Sequence, residues 1–311
     1  MKWILLSLIV LLTLLLAGSF INHAMRSAQE ETLYPPPGQL VAVGDHRLHV
    51  YSEGEGEPTL VFLSGSGTSA PTLDFKALYG RLSDDYHITV VERAGYGWSD
   101  DGDTPRDIDT VLAETRLALQ LAGESPPYVL FPHSMAGLEA LYWANRYPEE
   151  VVAIVGLDPA LPPTYEVMPP PPQLMLSVIT FAARTGVIRS GVAVCHELAA
   201  VSEGHLTAEE TAAFCSLFYR RTLTPNMLAE IRNETNPELV AAEGIPDVPL
   251  YFFISNGEDI ALDNWGEILA AYAVAANGQY LALDVPHYLH NYAPDVIAAE
   301  SRAFIERVVG E

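Results

Sequence analysis

From residue 39 onward the sequence alternates short apolar runs with longer segments of helical spacing. This order is typical of a mostly parallel sheet that carries helices on both faces. Eight runs have the length and composition of strands: Leu40–Val43, Arg47–Tyr51, Leu60–Leu63, His87–Val91, Tyr128–Phe131, Val152–Leu157, Leu250–Ile254 and Tyr280–Leu283. We therefore predict an α/β fold with a mostly parallel, eight-stranded sheet flanked by helices.

The alternation lapses once, after the sixth strand. Residues 161–247 are rich in proline at first and then helical in pattern, with no convincing strand. We expect this segment to form a helical cap, or lid, inserted into a core made of residues 39–160 and 248–311. Its apolar side chains are candidates for an acyl pocket, or simply pack the cap onto the core: Met168, Leu174, Met175, Leu176, Ile179, Phe181, Phe214 and Phe218.

The N-terminus carries an uncharged run of 19 residues from Trp3 to Ile21, which follows Lys2. That is about the length of a helix that crosses the hydrocarbon core of a bilayer. We predict a membrane anchor over residues 1–22 and a linker over residues 23–38, stiffened by prolines near its end. A cleaved signal sequence is the alternative, although the run is longer than the apolar region of most signal peptides. Both interpretations place the remainder of the chain outside the cytoplasm, either anchored or secreted.

The charge of the chain excludes one class of partner. Forty Asp and Glu residues against 16 Lys and Arg give a net charge of −24. A nucleic-acid-binding protein needs a basic footprint, so we expect no nucleic-acid partner. Membrane contact must come from the N-terminal helix, because this charge would be repelled by anionic lipid. Cys195 and Cys215 are the two cysteines, and in an exported protein they either form one disulfide or remain two buried thiols.

The sharpest local pattern lies over residues 128–137, where an apolar strand is followed by a serine, small residues and a helix. A serine on a tight strand-to-helix turn projects its hydroxyl above the sheet edge, and its neighbours two positions away must be small. Here Pro132 and Ala136 occupy those positions around Ser134. The pattern predicts that Ser134 is a nucleophile, while the alternative is a serine that only begins a helix.

Two further segments fit the same chemistry. The strand Leu60–Leu63 runs into a Gly-rich loop. Its glycines would let backbone N–H groups approach an oxyanion, and we predict the amides of Ser66 and Met135 as the two donors. His287 follows the last strand and is the predicted general base, with His290 as the second choice. Tyr96 and Trp98, after the fourth strand, are candidates for lining the pocket.

These residues together resemble the α/β-hydrolase superfamily. The motifs that carry the likeness are Gly65 in its loop, the stretch Glu92–Ser99, the stretch Pro132–Gly137, and Pro286–His287. The likeness covers roughly Gly38 to Val309 apart from the insertion, and the members it most resembles are membrane-anchored, esterase-like bacterial hydrolases. The resemblance implies the fold and a serine-hydrolase triad, but no particular substrate, since the fold hosts many chemistries.

Three carboxylates compete to be the acid of that triad. Asp158 ends the sixth strand, the place at which pancreatic-type lipases carry their acid, and it is our first choice. Asp259 and Glu258 follow the seventh strand, where most members of the superfamily have theirs. The sequence leaves this choice open.

The predicted function is hydrolysis of a small or medium ester, thioester or lactone with an apolar acyl part, through an acyl-enzyme on Ser134. An amidase or peptidase with the same triad is an alternative, and so is an inactive ligand-binding homologue. We expect no cofactor and no metal site, because no convincing cluster accompanies His287 and His290.

Overall fold

A computed structural model describes residues 1–168, 170–190, 194–234 and 236–310 of the protein. Its centre is a sheet of eight strands in the order β1-β2-β4-β3-β5-β6-β7-β8. The strands are β1 Gln39–Val43, β2 His46–Glu53, β3 Thr59–Leu63, β4 Ile88–Glu92, β5 Tyr128–Pro132, β6 Val151–Leu157, β7 Leu250–Ile254 and β8 Gln279–Ala282. The helices are α1 Lys2–Leu33, α2 Pro71–Asp74, α3 Lys76–Leu82, α4 Ile108–Ala122, α5 Ala136–Arg146, α6 Pro162–Val167, α7 Gln173–Arg184, α8 Val187–Ser190, α9 Ala199–Ser202, α10 Ala208–Arg221, α11 Pro225–Ala229, α12 Pro237–Glu243, α13 Trp265–Ala275, α14 Leu289–Tyr292 and α15 Pro294–Gly310.

The sheet is parallel from β3 to β8, and only β2 pairs antiparallel with its neighbours β1 and β4. The opening hairpin turns at Gly44, which has a φ of 66° that glycine adopts at little cost. In the parallel part every residue of β4, β5 and β7 is buried. Such continuous apolar strands are expected where helices cover both faces of a sheet. The predicted α/β fold with a mostly parallel, eight-stranded sheet is confirmed.

Two of the three apolar clusters among the described residues lie against the sheet, one on each face. On one face α4, α5 and α13 pack through residues such as Leu112, Trp143 and Leu269. On the other face α3 and α15 pack through Leu78 and Phe304. The helix ends follow local sequence signals. For example, the carboxylate of Asp107 caps α4 by accepting a hydrogen bond from the N–H of Thr110, and Gly123 ends that helix with a φ of 93°.

Seven helices, α6 to α12, lie between β6 and β7 within the described part of the chain. We call this segment the cap. A disulfide between Cys195 and Cys215 ties the short 3₁₀ turn Val194–Glu197 to α10 inside it. Of the two alternatives that the sequence allowed for these cysteines, the structure has the bridge.

The N-terminal helix is longer than the predicted anchor. The sequence suggested a boundary at residue 22 and a linker from 23 to 38, but α1 runs unbroken from Lys2 to Leu33. Polarity rises after Ile21 without any residue that disfavours helix, and the first proline after the apolar run is Pro35. Length and composition make α1 the one helix among the described residues that is able to cross a membrane.

Candidate active site

Ser134 lies on the tight turn between β5 and α5. Its φ of 51° is in the left-handed region, which a non-glycine residue seldom occupies unless its surroundings impose it. The backbone carbonyl of Ser134 accepts hydrogen bonds from the N–H groups of Gly137 and Ala160, at 2.9 and 2.7 Å. A Cβ on Gly65 would lie 2.8 Å from the Cβ of Ser134, so the neighbouring loop comes as close as glycine allows. Strained turns of this kind cluster at functional sites.

His287 lies in the loop after β8 and makes a short polar contact. Its Nδ1 is 2.6 Å from Oδ2 of Asp158. Asp158 directly follows β6, is fully buried and has a φ of 50°. With the Nδ1–H donated to this carboxylate, Nε2 of the imidazole is left as the proton acceptor.

The carboxylate of Asp158 is held by three more donors. Ser255 donates its backbone N–H to Oδ1 at 2.9 Å and its hydroxyl to Oδ2 at 2.6 Å, and the indole N–H of Trp265 reaches Oδ1 at 2.9 Å. Four donors therefore surround a buried charge, which is the condition under which a buried carboxylate is tolerated. Sequence reasoning missed Ser255 and Trp265. The available signal was that Ser255 directly follows the strand β7, which pairs with β6.

Neither of the two alternative acids contacts the imidazole of His287 among the described residues. Glu258 and Asp259 are both exposed in the loop after β7. Asp259 lines the same cavity as His287, but within the described residues the only carboxylate bonded to the imidazole is that of Asp158.

A cavity of about 380 Å³ brings the predicted site residues together. Ser134 and His287 line it, and so do Ser66 and Met135, the predicted oxyanion donors. Within the described ranges neither the Ser66 nor the Met135 amide donates to a protein acceptor. Met135 also stands at the N-terminus of α5, where the helix dipole favours negative charge.

The cap supplies the opposite wall of this cavity. Its contribution is mostly apolar and comes from Tyr165, Met168, Pro170, Pro171 and Ile231, together with the carboxylate-bearing Glu230. Of the eight apolar cap residues proposed for an acyl pocket, Met168 alone lines the cavity. Leu176 and Phe214 are buried elsewhere, whereas Leu174, Met175 and Phe181 point outward and are exposed.

Tyr96 and Trp98 do not line the cavity, contrary to the sequence-based suggestion. The Tyr96 hydroxyl donates to Oε2 of Glu230, a residue of the cavity lining, at 2.6 Å. Burial, together with that carboxylate, raises the pKa of Tyr96. Arg93 and Arg106 complete this buried group, with Nε atoms 3.4 and 3.2 Å from the Glu230 carboxylate. Trp98 lies farther out and donates its indole N–H to the carbonyl of Tyr34 at 2.9 Å.

His133 and His290 form a layer behind the site. His133 is buried, and its Nε2 is 3.3 Å from the backbone carbonyl of His287. Burial, together with the nearby His287 and His290, lowers the pKa of His133 well below its usual value. The predicted alternative base, His290, is instead paired with Asp74 at 2.8 Å and is fully buried. The lowered pKa favours the neutral form of His133, whose Nε2 contacts the loop that carries His287.

One group of three potential metal ligands occurs in the described residues, and it lies in the cap rather than at the cavity. It consists of Cys195, His196 and Cys215. Because both sulfurs are joined in the disulfide, the group has no thiolate to offer a metal ion.

Comparison with known proteins agrees with the observed fold. A family model described as alpha/beta hydrolase fold matches residues 58–228. The protein YbdG of Bacillus subtilis, which is uncharacterised, is 45% identical over 165 residues, which are 53% of this chain and 51% of YbdG. The chain thus matches about half the length of that relative.

Proteins with named activities are also similar, at greater distance. A pimeloyl-[acyl-carrier protein] methyl ester esterase of Xanthomonas oryzae is 33% identical over 106 residues, 33% of this chain and 37% of the esterase. An epoxide hydrolase of Bacillus megaterium superposes with a TM-score of 0.62 at 18% identity, covering 86% of this chain and all of the other. The second likeness concerns the fold alone.

Proposed function

The chain belongs to the alpha/beta hydrolase fold family, and from this premise we propose that it is a serine hydrolase acting on esters through an acyl-enzyme on Ser134. The observation that carries the proposal is the 2.6 Å contact between His287 and the buried Asp158, in a cavity that the strained Ser134 also lines. A hydroxyl nucleophile, an imidazole base and an orienting carboxylate are the three parts that acyl transfer requires.

The proposed reaction has two balanced steps. Nε2 of His287 takes the Ser134 proton as Oγ attacks the ester carbonyl, and the resulting oxyanion accepts hydrogen bonds from the Ser66 and Met135 amides. The intermediate collapses to an ester on Oγ, and the departing alcohol takes the proton from the imidazolium. Water then attacks the acyl-enzyme by the same route, releasing the carboxylic acid and regenerating Ser134. Asp158 stabilises the imidazolium and fixes its tautomer throughout.

The walls of the cavity favour a small or medium acyl group with little polarity. Its volume of about 380 Å³ lies at the small end of the range for ligand sites, and its cap side is mainly Met, Pro, Ile and Tyr. The similarity to an enzyme named as a methyl ester esterase points in the same direction. We therefore expect short- to medium-chain esters, thioesters or lactones as substrates.

A fluorophosphonate probe tests the nucleophile directly, because it reacts only with an activated serine. We expect the detergent-solubilised full chain to be labelled and Ser134→Ala to be unlabelled. His287→Ala should be labelled much more slowly, since the base is lost. Ser66→Ala is a matched control, because it removes a hydroxyl beside the cavity but leaves the backbone amide that the proposal uses.

The outcomes separate the proposal from its alternatives. Equal labelling of the parent and Ser134→Ala would refute the assignment of the nucleophile. A folded parent that is never labelled would favour a ligand-binding homologue. Labelling combined with turnover of amides rather than esters would favour an amidase or peptidase.

We also infer that α1 is retained as a membrane anchor rather than removed as a signal. Its exposed apolar run ends near Ile21, and the helix then continues along the cap. Positions 16, 19, 23, 27 and 30 form a half-buried stripe at helical spacing. In addition, Arg189 of α8 forms an ion pair with Glu30. Mass measurement of the mature chain tests this inference, since loss of residues before the stripe would contradict it.

A further inference from the structure

The helix α7 presents an apolar face that no residue in the described part of the chain covers. Leu174, Val178 and Phe181 are 77, 58 and 54% exposed, and their spacing puts them on one side of the helix. The opposite side is buried through Leu176 and Ala183. A helix that is apolar on all sides is expected to be buried on all sides. We therefore expect the exposed side of α7 to contact an apolar partner.

Charge is absent from the same region. In a chain with a net charge of −24, no charged residue occurs from Val167 to Ala183. The next residue, Arg184, is exposed at the end of α7, and Arg26 is exposed on α1. An apolar face that ends at an exposed arginine matches the boundary between acyl chains and phosphate headgroups.

The anchor fixes where this face lies. Gly186, two residues after α7, packs so closely on α1 that a Cβ there would meet the Ser19 carbonyl at 3.1 Å and the His23 Cβ at 2.4 Å. Those α1 residues flank Ile21, where the apolar run ends. At 1.5 Å per residue the run from Trp3 to Ile21 is about 27 Å long, close to the thickness of the hydrocarbon core. The C-terminal end of α7 is thus held at the level of the membrane surface.

We propose that the exposed face of α7 lies in the interface of the bilayer that α1 enters, so that the cap is a second, monotopic membrane contact. The occupant of the face is lipid, because α8, which follows α7 and exposes Val187, packs on α1, whose apolar run is itself exposed. Leu174, Val178 and Phe181 enter the acyl-chain boundary, and Arg184 and Arg26 meet the headgroups.

This contact also determines how the cavity is reached. Pro170 and Pro171, which line the cavity, immediately precede α7. The cap wall of the cavity therefore lies beside the bilayer. Resting on the proposed esterase function, this arrangement selects amphiphilic esters that partition into the membrane and reach Ser134 from the lipid side.

A fluorescent probe at Val178 tests the contact without any use of activity. The full chain, carrying Val178→Cys labelled with an environment-sensitive NBD group, is reconstituted in phosphatidylcholine vesicles that contain nitroxide-labelled lipid. The native cysteines are bridged and do not compete for the label. Val274→Cys is the matched control, because Val274 is 64% exposed and lies near the end of α13 that is away from the cavity. That end of α13 is followed by Gly278, which packs on Leu250 at the start of β7.

We expect the Val178 probe to shift to shorter wavelength and to be quenched by the lipid nitroxide, while the Val274 probe behaves as in water. In the additional variant Leu174→Asp/Phe181→Asp, both changes at exposed sites, the Val178 probe should return to an aqueous spectrum although the chain still sediments with the vesicles. Equal, aqueous behaviour of the two probes would overturn the proposal. Release of the full chain by alkaline carbonate would overturn it too, because the anchor that sets the level of α7 would not be inserted.

A separate readout concerns the substrate class. Leu174→Asp/Phe181→Asp should lower hydrolysis of a long-chain ester in vesicles and leave that of a water-soluble short-chain ester unchanged. If neither ester is hydrolysed by the parent, the proposed function fails while the probe result still decides the membrane contact. An equal effect on both esters would refute access from the lipid side.

Discussion

At the scale of single residues, the site depends on how Asp158 is held. A buried carboxylate that accepts hydrogen bonds from Ser255, Trp265 and His287 has its charge compensated and its position fixed. The short contact between Asp158 and Nδ1 of His287 can therefore fix the orientation of the imidazole. An exposed carboxylate such as Asp259 has neither property, because water competes for its charge and its rotamer is free.

We predict that Asp158→Asn lowers kcat for ester hydrolysis by about 10⁴-fold, because an amide donates to Nδ1 and thereby leaves Nε2 protonated and unable to act as a base. Asp259→Asn, which changes a carboxylate on the same cavity wall, should keep kcat close to that of the parent. Steady-state kinetics of the two variants check this. A larger loss in Asp259→Asn would instead assign the acid to the loop after β7.

Burial of neutral His133 predicts a dependence of stability on pH. The pKa of His133 is lowered in the folded protein. Below about pH 6.5 the unfolded chain therefore binds a proton at this residue that the folded chain does not bind. The free energy of unfolding should therefore fall with decreasing pH, by at most about 1.4 kcal/mol per pH unit for this group. Above about pH 7 His133 is unprotonated in the folded and the unfolded chain, so this loss of stability is absent.

The check on this prediction is the difference between the parent and His133→Gln, so that the other histidines cancel. Denaturant midpoints measured between pH 7.5 and 5 should show a shallower decline for His133→Gln. Parallel curves for the two proteins would mean that His133 takes up its proton in the folded state as readily as in the unfolded chain.

At the scale of elements, the strand–turn–helix unit around Ser134 is set by close packing of backbone. A Cβ on Gly137, in the first turn of α5, would lie 2.4 Å from the carbonyl oxygen of Ala160. A Cβ on Gly80, within α3, would meet nothing within 4 Å. The two glycines therefore have opposite expectations on substitution by alanine.

We predict that Gly137→Ala destabilises the protein by about 1–3 kcal/mol, because the backbone must shift to admit the methyl group. Gly80→Ala should be neutral or should stabilise by up to about 1 kcal/mol, since alanine is the better helix former. Urea denaturation of both variants is the measurement. Equal stability of the two variants would show that the turn between β5 and α5 can adjust to a methyl group despite its close packing.

The elements also show what the sequence could predict. The strand β7 was predicted to the residue and β6 to within one, because both are apolar runs with abrupt ends. The partner of His287 was left open, since it depends on which loops meet when β6 and β7 pair, and three carboxylates satisfied the linear pattern. The continuation of α1 to Leu33 was not predicted, because the anchor was bounded by the change from apolar to polar residues, and that change alone does not end a helix. The exposure of one face of α7 was not predicted, because the sequence analysis considered only a pocket wall or packing onto the core, and apolarity alone does not tell which side of a helix is covered.

At the scale of the whole molecule, the proposed anchoring by α1 and the proposed membrane contact of the cap together define a path from the bilayer to Ser134. The net charge of −24 disfavours contact between the core and anionic lipid, whereas α1 and α7 both expose apolar side chains. Lys2 at the start of α1 favours a cytoplasmic N-terminus, because positive charge flanking a span tends to remain inside. That orientation puts the cap on the oxidising side of the membrane.

The state of the cysteines therefore reports the sidedness of the whole chain. On the oxidising side the bond between Cys195 and Cys215 persists, whereas in the cytoplasm both thiols would be kept reduced. We predict that the chain in membranes from producing cells does not react with a polyethylene glycol maleimide until a reductant is added, and then gains two labels. Cys195→Ser, which leaves Cys215 alone, should gain one label without reductant and so demonstrates that the position is accessible to the reagent. Two labels on the unreduced parent would put the cap in the cytoplasm, and with it the cavity and every substrate that reaches Ser134.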